Sequence, residues 1–172
     1  RSFQGQGLAG AHGAGVGLLE ALAPHGAERV TRLQEPGGHA ERPVGPALQP
    51  YRKGVFLACK TTERSREGAQ RELDNSLRTM RTDHFDLYQL HAVNTREDVE
   101  KIFAPGGALE TFVAARTAGK VRFLGFSAHS VEAALALIGR HDFDTILFPT
   151  SFATWHAGNF GPQVLAAAQA KQ

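Results

Sequence analysis

The chain has 172 residues, of which 42% are hydrophobic and 21% are charged, and its formal net charge is +2. This composition is typical of one globular domain with a buried core, and the near-balance of charge gives no support to nucleic-acid binding. The longest apolar runs, Val55–Cys59 and Ala133–Ile138, are far too short to cross a bilayer, so we expect no membrane segment. The single cysteine excludes an internal disulfide and is consistent with a cytoplasmic location.

The first 50 residues differ from the rest because glycine and proline recur every few positions. Glycine costs conformational entropy and proline removes hydrogen-bond donors, so we expect residues 1–43 to be irregular or poorly ordered. Only Val16–Ala23 offers an apolar side for a short helix, and no strand is predicted before residue 50. Gly5–Gly10 matches the G-x-G-x-x-G word of dinucleotide-binding folds. Only four residues precede it where a strand is needed, so a glycine-rich linker is the preferred interpretation.

After residue 50, four short apolar runs predict strands that are buried on both faces. They are Val55–Cys59, Phe85–Leu90, Val121–Phe126 and Thr145–Phe148. Helices are predicted between or after them, over Ser65–Met80, Gly107–Ala118, Val131–Ile138 and Gly161–Gln172. Ser130 is the predicted N-cap of the third helix, and Gly119 and Gly139 are predicted to end the second and third helices.

The strands begin roughly 30 residues apart, which is the size of a βα repeat. This alternation predicts an α/β fold with a parallel sheet, either a doubly wound sheet or a (β/α)8 barrel. A complete barrel typically needs about 250 residues, and this chain offers only four clear strands.

Polar side chains follow three successive predicted strands, at the point where each strand ends. They are Lys60, His91 and Ser127. Taken singly, each has an ordinary structural explanation, as a solvated loop lysine, a structural histidine or a turn serine. Because the carboxyl ends of parallel strands meet at one edge of a sheet, their joint occurrence predicts a shared functional site.

The segments that carry these residues resemble those of one protein family. The segment from Ser76 to His91 resembles the stretch that leads to the catalytic histidine of the aldo/keto reductases. Gly119–Ser127 is similar to the family's second signature, and Phe56–Thr61 is similar to the strand that bears its catalytic lysine. The resemblance covers residues 44 to about 160 and implies that residues 44–172 form a partial (β/α)8 TIM barrel.

The resemblance also implies a chemistry. Members of the family reduce aldehydes and ketones by hydride transfer from NADPH, less often NADH, and they need no metal. Lys60 would lower the pKa of a general-acid tyrosine, since a nearby cation favours phenolate. His91 would hydrogen-bond the carbonyl of a small-molecule substrate, and Ser127 would hold the nicotinamide carboxamide.

Two family positions upstream of residue 41 depart from the pattern. Pro36 falls where the general-acid tyrosine belongs, and Thr31 falls where an aspartate that anchors the lysine belongs. One hypothesis is that residues 1 to about 40 are translated out of frame. An alternative function is a catalytically inactive, family-derived protein that acts in binding or regulation, or a non-functional truncation. A third hypothesis is self-association through the open strand edges of an incomplete barrel.

Overall fold

A computed structural model of the chain describes residues 29–32, 41–157 and 160–171. The strands are β1 (Arg29–Arg32), β2 (Val55–Thr61), β3 (Phe85–Leu90), β4 (Val121–Ser127) and β5 (Thr145–Leu147). The helices are α1 (Glu41–Leu48), α2 (Arg66–Met80), α3 (Arg96–Phe103), α4 (Ala108–Thr117), α5 (Val131–Arg140), α6 (Phe152–Ala157) and α7 (Pro162–Gln169). A 3-10 segment, Gln49–Gly54, joins α1 to β2. The predicted helix Val16–Ala23 and the glycine-rich word before it lie outside the described residues.

The five strands form one sheet in which every neighbouring pair is parallel and the spatial order is the chain order, β1 to β5. The predicted α/β class with parallel strands is therefore confirmed. A doubly wound sheet reverses its strand order at a switch point, and no reversal occurs among these strands. The order is that of consecutive βα units in a barrel wall.

Strand β1 shows that the prediction of no strand before residue 50 is wrong. Its four residues pair with β2 in a register that runs from Arg29 opposite Val55 to Arg32 opposite Ala58. A four-residue segment with arginine at both ends has no apolar run to reveal it. Its ordering depends on backbone hydrogen bonds to a strand that lies more than 20 residues away.

Helix α1 was also missed, because its glycine and prolines suggested irregular chain. A Cβ atom on Gly45 would lie 2.6 Å from the backbone oxygen of Thr79, so the glycine permits α1 to pack closely on α2. Proline is tolerated in a first helical turn, as at Pro43, although Pro46 lies further inside the helix. The helix runs across residues 43 and 44, where the sequence analysis divides the chain, and that division stays a prediction.

The predicted helix ends are confirmed in two cases and wrong in one. The Ser130 hydroxyl accepts a hydrogen bond from the Ala133 N–H at 3.2 Å, as an N-cap does. Gly119, just after α4, has φ +73°, a left-handed conformation that glycine adopts without strain. Helix α5 does not end at Gly139 but continues to Arg140.

The main hydrophobic core lies between the sheet and the helices that cover its outer face. All six residues of β3 are buried. The ring centroids of Tyr88 on β3 and Phe112 on α4 are 4.8 Å apart, and both side chains are fully buried. Leu73 of α2 and Leu137 of α5 are also fully buried in this core. Such contacts anchor each helix to the strands it connects, and so they fix the positions of the strand ends.

The amino ends of the strands are joined by a charged network centred on Asp86, whose side chain is 5% exposed. Its Oδ2 accepts the Leu57 N–H at 2.8 Å and lies 3.2 Å from Nη1 of Arg52. Its Oδ1 lies 2.9 Å from Nη1 of Arg122. Burial alone would raise the pKa of the Asp86 carboxyl, but the Leu57 N–H and the two guanidinium groups outweigh it and lower that pKa below its ordinary value.

Candidate active site

The three predicted site residues lie at the carboxyl ends of three neighbouring strands. Lys60 is the penultimate residue of β2 and is in register with Gln89 of β3. His91 follows β3 directly, and Ser127 is the last residue of β4. Ser127 is buried at 2% exposure, whereas Lys60 and His91 are partly buried as whole residues, and the Nζ atom of Lys60 is itself buried.

His91 and Ser127 are in direct contact. Nδ1 of the imidazole lies 3.0 Å from Oγ of the serine. The same Oγ accepts the backbone N–H of Ala92 at 2.9 Å, and the Ser127 carbonyl accepts the Val93 N–H at 2.8 Å. The loop after β3 is therefore fastened to the end of β4 by both the side chain and the main chain of one serine.

This loop contains a strained residue. Ala92 has φ +52°, a left-handed conformation that costs a residue other than glycine about 1–2 kcal/mol. The strain is offset by the two hydrogen bonds that the Ala92 and Val93 N–H groups make with Ser127. Backbone strain of this kind is concentrated at functional sites, where surrounding contacts over-determine the conformation.

Two residues that the sequence analysis missed complete the loop structure at this edge. Arg64, between β2 and α2, donates through Nη2 to the carbonyls of His91 at 2.8 Å and Ala92 at 3.2 Å. Asn94 accepts the His129 N–H at 2.7 Å and so links the loops after β3 and β4. Both contact backbone atoms, which every residue carries, and so no sequence pattern identifies either one.

The polar residues on the other side of the sheet are unsuited to catalysis. Burial, and then the nearby Glu41 carboxyl, raises the pKa of the Cys59 thiol to about 12. The thiol therefore stays protonated and is a poor nucleophile. Burial and the proximity of Cys59 also raise the pKa of the Tyr88 phenol, which lies within β3 rather than at its end.

Of the two upstream positions that depart from the family pattern, only Thr31 lies among the described residues. The backbone of Thr31 pairs with Leu57, and Pro36 lies outside the described residues.

In the part of the chain that the structure describes, no group of three or more His, Cys, Asp or Glu side chains is arranged to hold a metal ion. No helix among those same residues is long and apolar enough to span a membrane.

A model of the aldo/keto reductase family matches residues 36–147, which is more than half of the chain. The chain belongs to the aldo/keto reductase family. The match includes β2 to β5 and all three strand ends that carry Lys60, His91 and Ser127. The resemblance inferred from the sequence is thereby confirmed.

Two curated bacterial proteins are similar to this aldo/keto reductase chain. The aldo-keto reductase YhdN of Bacillus subtilis is 32% identical over 107 residues, which are 55% of this chain and 30% of that protein. The uncharacterized oxidoreductase YqkF of the same organism is 27% identical over 103 residues, which are 53% of this chain and 32% of that protein. The match thus spans well under half the length of either relative.

Solved structures of the family share the fold. The holo form of aldo-keto reductase AKR11C1 from Bacillus halodurans is 27% identical with a TM-score of 0.58, and 71% of this chain covers 41% of that chain. An aldo-keto reductase from Klebsiella pneumoniae, solved in complex with NADPH, is 24% identical with a TM-score of 0.63. There, 83% of this chain covers 48% of that chain. These matches confirm the predicted partial barrel.

Proposed function

We propose that this chain is an NAD(P)H-dependent oxidoreductase that reduces aldehyde or ketone carbonyls, with NADP(H) as the preferred cofactor and NAD(H) as the less common one. The observation that carries the proposal is the contact between His91 Nδ1 and Ser127 Oγ, at the strand ends next to Lys60. The NADPH complex of the Klebsiella relative supports the choice of cofactor. Substrates would be small carbonyl compounds.

The hydrogen-bonding capacity of Ser127 fits the carboxamide of a nicotinamide ring. A serine hydroxyl has one donor hydrogen and two acceptor lone pairs. The Ala92 N–H occupies one lone pair, and His91 Nδ1 takes up the hydrogen when it acts as an acceptor. One lone pair then remains, and it can accept a hydrogen bond from a carboxamide NH2. The bound cofactor would supply the hydride.

The same hydrogen bond supports a role for His91 in orienting the substrate carbonyl. When Nδ1 accepts from Ser127, the ring proton of a neutral imidazole is on Nε2. Nε2 is then a donor that can bind and orient a carbonyl oxygen. Lys60, one strand away, supplies positive charge that stabilises negative charge developing on that oxygen.

A second candidate function is a non-catalytic one. In the family a tyrosine donates the proton to the forming alkoxide, and Pro36 at that position has no proton to give. Thr31, at the aspartate position, carries no charge to anchor Lys60. These two residues favour a protein that binds the cofactor or a regulatory partner without turnover.

Fluorescence titration with NADPH tests whether the chain binds the cofactor at Ser127, which the reductase requires and which a non-catalytic cofactor-binding protein would share. We expect saturable binding that is weakened in Ser127→Ala and unchanged in Ser151→Ala, an exposed serine that matches it chemically. Binding that is absent, or equal in the wild type and Ser127→Ala, would contradict the proposed site. Carbonyl-dependent NADPH oxidation then separates the candidates. Turnover that is lost in His91→Ala and kept in His84→Ala, at the opposite end of β3, supports the reductase.

We also propose that the chain is cytoplasmic and that it associates with itself through its sheet edges. Among the described strands, β1 and β5 each pair on one side only, and an unpaired strand edge is a template for another chain. Sedimentation over a range of concentrations should show growth in mass. A compact monomer at every concentration would contradict self-association.

A further inference from the structure

One arginine joins three loops at the carboxyl edge of the sheet. Arg64 lies between β2 and α2, and its side chain is only 14% exposed. Nη2 donates to the His91 carbonyl at 2.8 Å and to the Ala92 carbonyl at 3.2 Å, and both acceptors follow β3. Nε lies 3.3 Å from Oδ1 of Asp98, on α3. The guanidinium group therefore connects the end of β2, the loop after β3 and the first turn of α3.

The arrangement requires the chemistry of arginine. A guanidinium group is planar, always charged and weakly hydrated, and it presents donors in a fixed fork. Its Nη2 can therefore donate to two consecutive carbonyls from a buried position while a carboxylate beside Nε balances the charge of the group. A lysine ammonium at the same place would be a flexible point charge, and it could not reproduce this geometry.

The contacts of Arg64 are complementary to those of Ser127. The carbonyls of His91 and Ala92 accept from Arg64, while the N–H groups of Ala92 and Val93 donate to Ser127. The left-handed turn at Ala92 is thus held by donors on one side and by acceptors on the other. The orientation of the His91 imidazole follows from this turn, because the ring is attached to the residue that begins it.

We propose that Arg64 is a positioning residue that keeps the His91 turn in the one conformation in which Nδ1 meets Ser127 Oγ. The inference rests on the proposed function of His91 and Ser127, and Arg64 acts through the His91 turn rather than on the cofactor. Its loss would release the imidazole from Ser127 while leaving the strands in place, because the strands are held by the core and by Asp86.

The experiment is long-range ¹H–¹⁵N NMR of the histidine ring nitrogens, recorded on the full chain without cofactor or substrate. The signals that disappear in His91→Ala are those of His91. Ser127→Ala gives the ¹⁵N chemical shift of Nδ1 when its hydrogen bond to the serine is absent. Arg64→Met is the test variant. Arg66→Met, an exposed arginine two residues away that pairs with Glu110, is the matched control. Circular dichroism verifies folding, and Arg64→Lys replaces Arg64→Met if the latter fails to fold.

We expect the His91 Nδ1 signal of the Arg64 variant to move in the same direction as in Ser127→Ala, by at least half of that displacement. In Arg66→Met it should stay at the wild-type position. A His91 signal that is unmoved in the Arg64 variant, or moved equally in both arginine variants, overturns the proposal. Because the measurement involves no cofactor, absent NADPH binding would defeat the proposed function alone and leave this result standing.

Discussion

The two ends of strands β2 to β4 both carry hydrogen-bonded polar side chains, including arginines, but they have different functions. At the amino end, Asp86 is 5% exposed and accepts from the Leu57 N–H and two arginines. At the carboxyl end, the hydrogen bonds of Ser127 and Arg64 hold a strained turn, and His91 beside it is only partly buried. In barrels of parallel strands, the amino face supports stability and the carboxyl face carries chemistry. This difference can be tested by perturbing one end at a time.

The largest expected effect is at the amino end. Asp86→Ala removes the acceptor of the buried Leu57 N–H and the carboxylate that pairs with the Arg52 and Arg122 guanidinium groups. We expect a loss of about 3 kcal/mol in the free energy of unfolding, as for a buried ion pair that loses one partner. Urea denaturation measures it. Asp142→Ala, an exposed aspartate paired with Lys171, is the control and should leave the unfolding midpoint unchanged. Equal midpoints in the two variants would show that the Asp86 network at the amino end does not stabilise the fold.

Acid should lower the free energy of unfolding by less than Asp86→Ala does, because protonation removes the charge of Asp86 but leaves its shape. The pKa of this carboxyl is lower in the folded chain than in the unfolded chain, so the unfolded chain binds protons first as the pH falls. The stability contributed by Asp86 is complete above its ordinary pKa of about 3.9 and is lost as the pH falls through the lower folded value. Urea midpoints measured as the pH is lowered should fall less steeply in Asp86→Asn. Equal slopes of urea midpoint against pH in the wild type and Asp86→Asn would show that Asp86 does not cause the acid dependence.

The third effect is at the carboxyl end. Ser127→Ala removes the acceptor of the Ala92 N–H and the partner of His91. We expect a loss of about 1–2 kcal/mol in the free energy of unfolding, which is the lower part of the cost of an unpaired buried donor, because the Ala92 N–H is only partly buried. We also expect weaker NADPH binding. A variant with wild-type stability and weaker binding would sharpen the contrast between the two ends. A loss in the free energy of unfolding as large as that in Asp86→Ala would show that the two ends do not differ in their contribution to stability.

The smallest effect is on the surface. Arg66 and Glu110 form an exposed ion pair with 3.2 Å between Nη1 and Oε2. Arg66→Met should change the free energy of unfolding by about 0.5 kcal/mol or less, and added salt should reduce even that difference. Thermal unfolding at low and high ionic strength measures it. A change larger than that in Ser127→Ala would show that this exposed ion pair contributes more stability than the hydrogen bonds of a buried serine.

The sequence predicted most of the sheet because apolar runs mark the strands after residue 50, although only β3 is buried along its whole length and β5 is only partly buried. Four apolar runs located β2 to β5 to within one or two residues, and their polar ends identified the edge where the site lies. The helices α2, α4 and α5 were also predicted, since each carries an apolar stripe that packs on the sheet. Burial leaves a pattern that is local in the sequence, and so local patterns are sufficient to find it.

The elements that were missed depend on contacts between distant residues. Helix α3 buries only Val99 and Ile102 among charged neighbours, so its pattern was too weak to recognise. Strand β1 is ordered by pairing with β2, which its own residues do not reveal. Arg64 contacts the backbone of residues 27 and 28 positions away, and a backbone carbonyl has no signature in the sequence.

Strand β3 is the central strand of the five, and it pairs with β4 along nearly its whole length and with β2 from Leu87 to Leu90. Its amide hydrogens should exchange with solvent only when the sheet opens as a whole, whereas β1 and β5 can open from the edges. His91 follows this strand directly, so its backbone position is tied to the segment of the sheet that opens last. Side-chain rearrangements at the carboxyl edge can therefore be frequent without any comparable opening of the strands beneath them.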